Sequence, residues 1–247
     1  MPNLEKSSWI GGILGAIFAF FGTTWGIWIY YHPSPAPQVP APIQTLPSMP
    51  IIEPESQIPK VTTGISRKFL DNIFGNPTFD DLYPQLKIRN LIYVFPRFFL
   101  QAVISLDGKV VFYSVTTRSS AFRPHVPKLG GRLIETKFAE FGESEHVYSD
   151  MTSKYYEYAE KYNLGNAGNY RNIYLGFCPS GASPDWDKFK PAVLDDDGEV
   201  GVKSFRLQNA PNCFGVGDIN GNEDVIIQEL RIGLDYYISR DLPEDRP

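Results

Sequence analysis

Apolar residues are spread unevenly along this chain. From Ser7 to Tyr31 no side chain is charged, and Trp9–Tyr31 is a largely apolar stretch of 23 residues. At about 1.5 Å per residue a helix of that length spans roughly 34 Å, enough to cross a hydrocarbon core of about 30 Å with some tilt. The pattern predicts a transmembrane helix. A cleaved signal peptide is the competing reading, but its apolar region is about 7–15 residues long and ends in small residues. This stretch ends in Trp28, Tyr30 and Tyr31, which with Trp9 suit the two bilayer interfaces.

Within the span, Gly11, Gly15, Ala19, Gly22 and Gly26 fall along one helix face. Such a small-residue stripe lets a second backbone approach, so it predicts a homodimer through the membrane helix, unless it reflects only the general abundance of glycine in membrane helices. Lys6 precedes the span and no Lys or Arg follows before Lys60. This bias favours a cytoplasmic N-terminus and an exported C-terminal domain.

The next segment, 32–60, holds nine of the chain's 21 prolines, from Pro33 to Pro59. It predicts an extended, semi-rigid stalk, with a docking site for a proline-recognising module as the alternative. The pattern then changes to that of a folded domain over 61–240, between a flank at 1–8, the span at 9–31 and a tail at 241–247. Phe69, Leu70, Ile73 and Phe74 recur at helical spacing between a capping Ser66 and a terminating Gly75-Asn-Pro77. Ile88–Phe95, Arg97–Ser105 and Val110–Thr117 predict strands, the last two joined at Asp107-Gly108 as a hairpin. Thr152–Asn163 reads as an amphipathic helix, with Tyr155, Tyr158, Ala159 and Tyr162 on its core face. Further strands are predicted at Asn172–Cys178, Val200–Gln208 and Val225–Leu234. Together these elements predict an α+β fold: one N-terminal transmembrane helix, then a mainly antiparallel β domain with a few short helices.

Four segments, Phe69–Pro77, Val111–Arg118, Gly165–Tyr174 and Pro211–Val216, resemble an uncharacterised family of bacterial proteins with a single N-terminal membrane span and a β-rich C-terminal domain. The resemblance covers most of the globular region and implies a bacterial source, hence the inner membrane. It implies no activity and no site residue.

A formal net charge of -5 gives no basic excess for neutralising phosphates, so nucleic acid is not an expected partner. The two cysteines, Cys178 and Cys213, read as one disulfide if the domain is exported, and as two buried thiols if it is cytoplasmic. A catalytic thiol or a zinc site would need His125 or His146, and neither has a recognisable spacing to a cysteine. Asp218, Asn220, Asn222 and Asp224 alternate as oxygen donors, and Glu229 stands at the offset of the closing ligand of a calcium loop. Glu223 occupies the position where such a loop requires glycine, so a plain Asx-rich turn competes with calcium as the reading. The acidic run Asp195–Glu199 reads as a solvated loop. No other cofactor is expected, and no nucleophile elbow, phosphate-binding loop, dinucleotide fingerprint or His-Glu-x-x-His motif is present.

The expectation is a membrane-anchored, non-catalytic binding protein with its domain outside the cytoplasm, binding a protein or an envelope ligand. Loops 163–171 and 180–186, rich in Gly, Asn and aromatics, offer the recognition surface. The alternatives are a cytoplasm-facing membrane sensor or effector, for example in bacterial defence, and a hydrolase using acidic residues.

Overall fold

Asp107 and Gly108 set the first fixed point of the fold. Gly108 adopts φ +80°, which only glycine takes readily, and the chain reverses there between β3 (Phe98–Ser105) and β4 (Val110–Thr117). The computed structural model describes residues 53–151, 156–165, 171–182, 198–218, 226 and 230–232, all within one unit, Ile52–Pro247. The predicted span, its stripe of Gly11, Gly15, Ala19, Gly22 and Gly26, and most of the stalk lie outside these residues. Among the described residues no helix is long and apolar enough to cross a membrane.

The hairpin belongs to an eight-stranded antiparallel sheet of order β1-β2-β3-β4-β8-β7-β6-β5. The remaining strands are β1 (Phe79–Tyr83), β2 (Ile88–Val94), β5 (His146–Met151), β6 (Tyr156–Leu164), β7 (Arg171–Phe177) and β8 (Cys213–Asp218). Strands β1–β4 and β5–β7 are two meanders, and the last strand, β8, enters between β4 and β7 to join them. The sheet confirms the α+β expectation of a β-rich domain.

One face of the sheet carries Leu100, Val115, Phe214, Ile173 and Tyr158, and the helices cover it. Helix α1 (Arg67–Phe74) begins where predicted, with the Ser66 hydroxyl accepting from Phe69 N–H at 3.3 Å, ends at Gly75, and buries Leu70 and Phe74. The stalk stops short of Lys60: Pro54–Lys60 is a 3-10 helix, η1, that buries Ile58 against this face. Pro54 tolerates its first turn because that position needs no amide hydrogen. The opposite face carries Phe112, Tyr174 and Ala159, and Ile226, Leu230 and Ile232 pack over them.

Three predicted elements are corrected. The described part of Thr152–Asn163 is strand β6, not a helix: Tyr158, Glu160 and Tyr162 alternate onto the helix-covered face and are all buried there. Tyrosine suits a pleated, buried surface, and a spacing that matches a helix face also contains this period of two. Val200–Gln208 lies in helix α2 (Gly198–Gln208) instead of a strand, because only Phe205 of its apolar pair docks, while Leu207 is exposed. Ile226 and Leu230, expected in a strand, are helical, and their four-residue spacing puts both on the second face.

Candidate functional site

The segment after η1 runs antiparallel beside the start of β4, held by Gly64 N–H to Val110 O at 2.7 Å and Val110 N–H to Ile65 O at 2.9 Å. Residues 122–132 form a loop on the same, helix-covered face, closed by an antiparallel bridge between His125 and Arg132. Val126 and Leu133 are buried, and Phe122 packs on Phe98 with ring centroids 5.4 Å apart, so the loop is anchored at both ends. Lys128 at its tip has φ +63°, a conformation that costs a residue with a Cβ about 1–3 kcal/mol and that packing must hold in place.

Between these two segments lies a cavity of about 680 Å³. Its floor is apolar, formed by Tyr113 of β4, Phe214 and Val216 of β8, and Ile173 of β7, with Ile58 and Val61 on the η1 side. Arg123, His125 and Lys128 from the loop and Arg171 from β7 line it as well, against the single acid Glu55, which is bonded to Arg97 at 2.9 Å. Thr63, only 7% exposed, is part of the wall, and its hydroxyl has no hydrogen-bond partner among the described residues. Burial pushes the phenol of Tyr113 well above its ordinary range, so it stays a neutral hydroxyl group. Volume, apolar lining and a few polar groups match the make-up of a small-molecule site.

A second polar cluster is structural. Glu160, wholly buried, accepts hydrogen bonds from the hydroxyls of Tyr158 and Tyr162 and from Arg206 Nε at 2.7 Å. Arg206 also donates to the carbonyls of Phe138 and Gly142, and so ties α2 to the 3-10 helix η2 (Phe138–Phe141). Burial works against the Arg206 charge, but the carboxylate beside it prevails and holds the proton more tightly than usual.

The residues singled out from the sequence have separate fates. Cys178 and Cys213 form a disulfide with Cα atoms 5.9 Å apart, joining the end of β7 to the start of β8. Both sulfurs are thereby used, which removes the thiol-nucleophile and zinc alternatives. Of the calcium candidates, Asp218 ends β8, while Asn220, Asn222, Asp224 and Glu229 lie outside the described residues, as do Asp195–Asp197 of the acidic run. Among the described residues no three acidic, His or Cys side chains gather as a metal site. The middle parts of the two recognition loops, 166–170 and 183–186, also lie outside. His146 packs against Tyr148 on β5, and only His125 reaches the cavity. The cavity was missed in the sequence, although Arg123-Pro-His-Val-Pro-Lys128 carries a signal: three basic residues in a segment that prolines stiffen.

No family model matches the chain, and no curated protein does. Two similar solved structures are an extracellular protein containing an SCP domain from Bacillus anthracis str. Ames and a cysteine-rich secretory protein from Staphylococcus aureus subsp. aureus Mu50. The first is 11% identical, with a TM-score of 0.36, over 67% of this chain and 46% of that one. The second is 9% identical, with a TM-score of 0.38, over 70% of this chain and 49% of that one. This chain thus spans about half the length of either, and at such scores neither likeness bears on fold or function.

Proposed function

We propose that this chain is a binding protein that carries its ligand in the cavity over β4, β8 and β7, on a domain that its N-terminal span and stalk hold at a bacterial membrane outside the cytoplasm. The cavity carries the reading: an apolar recess of about 680 Å³ with a strained, well-anchored basic loop at its side. Strain kept in a loop is characteristic of binding sites. The Cys178–Cys213 disulfide supports an oxidising compartment, where such bonds persist.

Two measurements test this. Reporters fused after Pro247 should be active if they work only outside the cytoplasm and silent if they work only inside. The opposite result overturns the location and moves the reading to a cytoplasm-facing sensor. A thermal-shift screen of the full chain against small-molecule classes should find ligands that stabilise the wild type but not Thr62→Trp, since Thr62 is an exposed residue of the cavity wall. Ligands that stabilise both equally, or none that stabilise the wild type, overturn the cavity as the binding site.

A further inference from the structure

We infer that the cavity is specific for an amphiphilic anion, an apolar body ending in a single carboxylate or phosphate head; this rests on the binding reading above and names the ligand's chemistry. The apolar floor of Tyr113, Ile173, Phe214 and Val216 has no charged group to pair with, so the part of a ligand that lies there is hydrocarbon or aromatic. Two permanent cations of the loop, Arg123 and Lys128, line the same space, and its one carboxylate, Glu55, is already paired with Arg97. This local excess stands on a chain whose formal net charge is -5, so it is not a sample of the general surface.

The loop geometry points the same way. Arg123 is held by a hydrogen bond from its Nε to Ser120 O at 3.1 Å, and its nearest acid, Glu135, is 3.8 Å away on an exposed pair worth little. Lys128 keeps its left-handed backbone at the turn between Pro127 and Leu129, where Leu129 N–H closes on Pro127 O at 2.7 Å. Two exposed cations are thus set in the wall of an apolar recess by a loop with buried anchors. The wall also holds the Thr63 hydroxyl, buried and without a hydrogen-bond partner among the described residues, and an oxygen-bearing anionic head is the chemistry that would accept its hydrogen bond. Such an anion has two natural sources, the head group of a bilayer lipid or a free amphiphilic acid, and both present the same chemistry.

The test is equilibrium dialysis of the full chain in lipid nanodiscs, with empty nanodiscs as blank, using labelled dodecanoate, dodecyl phosphate and the uncharged dodecanol. Wild-type chain is expected to bind the two anions saturably and at least about tenfold more tightly than dodecanol, the equivalent of roughly 1.4 kcal/mol. Arg123→Glu/Lys128→Glu should lose that preference while still binding dodecanol, and Thr62→Trp should abolish all three. These substitutions fall at exposed positions, so folding is retained, and a circular dichroism spectrum like that of the wild type verifies it. Competition when the nanodisc lipid is changed from zwitterionic to anionic identifies a lipid head group as the source, and its absence a free acid; either supports the inference. Equal binding of dodecanol and dodecanoate, both blocked by Thr62→Trp, overturns the anion assignment and leaves the binding reading intact. Binding that Thr62→Trp does not reduce, or no saturable binding of any probe, overturns the inference.

Discussion

Replacing Arg206 by methionine isolates the energetics of the cluster around Glu160. The Glu160 side chain is fully buried, and its partner is 18% exposed. Removing the guanidinium leaves a carboxylate with no cation in a low-dielectric site, a change that typically costs about 3–5 kcal/mol. The hydroxyls of Tyr158 and Tyr162 still donate to it, which places the expected cost near the lower end, about 3 kcal/mol. For a domain of this size that is a fall in Tm of roughly 6–12 °C. Glu160→Gln in the same background restores most of it, because the neutral amide needs no counter-charge, its oxygen accepting from one tyrosine while its NH2 donates to the hydroxyl of the other; the double-mutant cycle should give a coupling of about 2 kcal/mol or more. Arg97→Met, which breaks the exposed pair with Glu55, is the control and should cost under about 1 kcal/mol. The assay is pulse proteolysis of the full chain across a urea series, with hydrogen exchange at 138–142 as a second readout, since Arg206 holds the carbonyls of Phe138 and Gly142. If Arg206→Met costs no more than Arg97→Met, or the cycle gives no coupling, burial does not set the worth of this pair and the reasoning fails.

Three further outcomes follow from the same structure. Replacing both Cys178 and Cys213 by serine should lower stability by about 4 kcal/mol, the chain-entropy value for a loop closed over a separation of 35 residues; urea midpoints of the oxidised, reduced and substituted chain check it, and an unchanged midpoint would show that the bond adds nothing. Gly215→Ala should cost about 1–3 kcal/mol, because the new Cβ would meet the buried ring of Phe112 at 2.6 Å; a loss that Phe112→Leu in the same chain does not relieve would point to a cause other than that contact. Burial alone would push the Asp80 carboxyl up, but hydrogen bonds from Arg89 and Arg67 outweigh it and hold the group below the usual carboxylate range. Its stabilisation is therefore complete above the ordinary aspartate pKa of about 4 and is lost as pH falls through the lower folded value, a contribution under about 1 kcal/mol for so solvent-accessible a pair. Urea midpoints measured across pH should show a shallower acid decline in Asp80→Asn than in wild type, and parallel declines would refute the assignment.

Where a local signal was strong, the sequence alone determined the element. Ser66 and Gly75 bracket α1 because a cap and a left-handed glycine act on their own neighbours, and Asp107-Gly108 closes its hairpin for the same reason. With two cysteines the sequence allowed a single pairing, Cys178 with Cys213, and left open only whether it forms; the geometry, with Cα atoms 5.9 Å apart, decided that. Elsewhere the decision was tertiary. Tyr158 and Tyr162 fit a helix face and a strand face alike, and packing against Phe138 and Phe205 chose the strand. Phe205 and Leu207 alternate as a strand would, yet only Phe205 found a partner surface, and α2 resulted. Strand β8 was hidden because Gly215 and Gly217 weaken any strand pattern, and the reason for Gly215 is the Phe112 ring that fills the space of its absent side chain. The cavity is the furthest from legible. Its walls come from η1, β4, the 122–132 loop, β7 and β8, and no periodicity along the chain records which distant segments a sheet brings to the two sides of one recess.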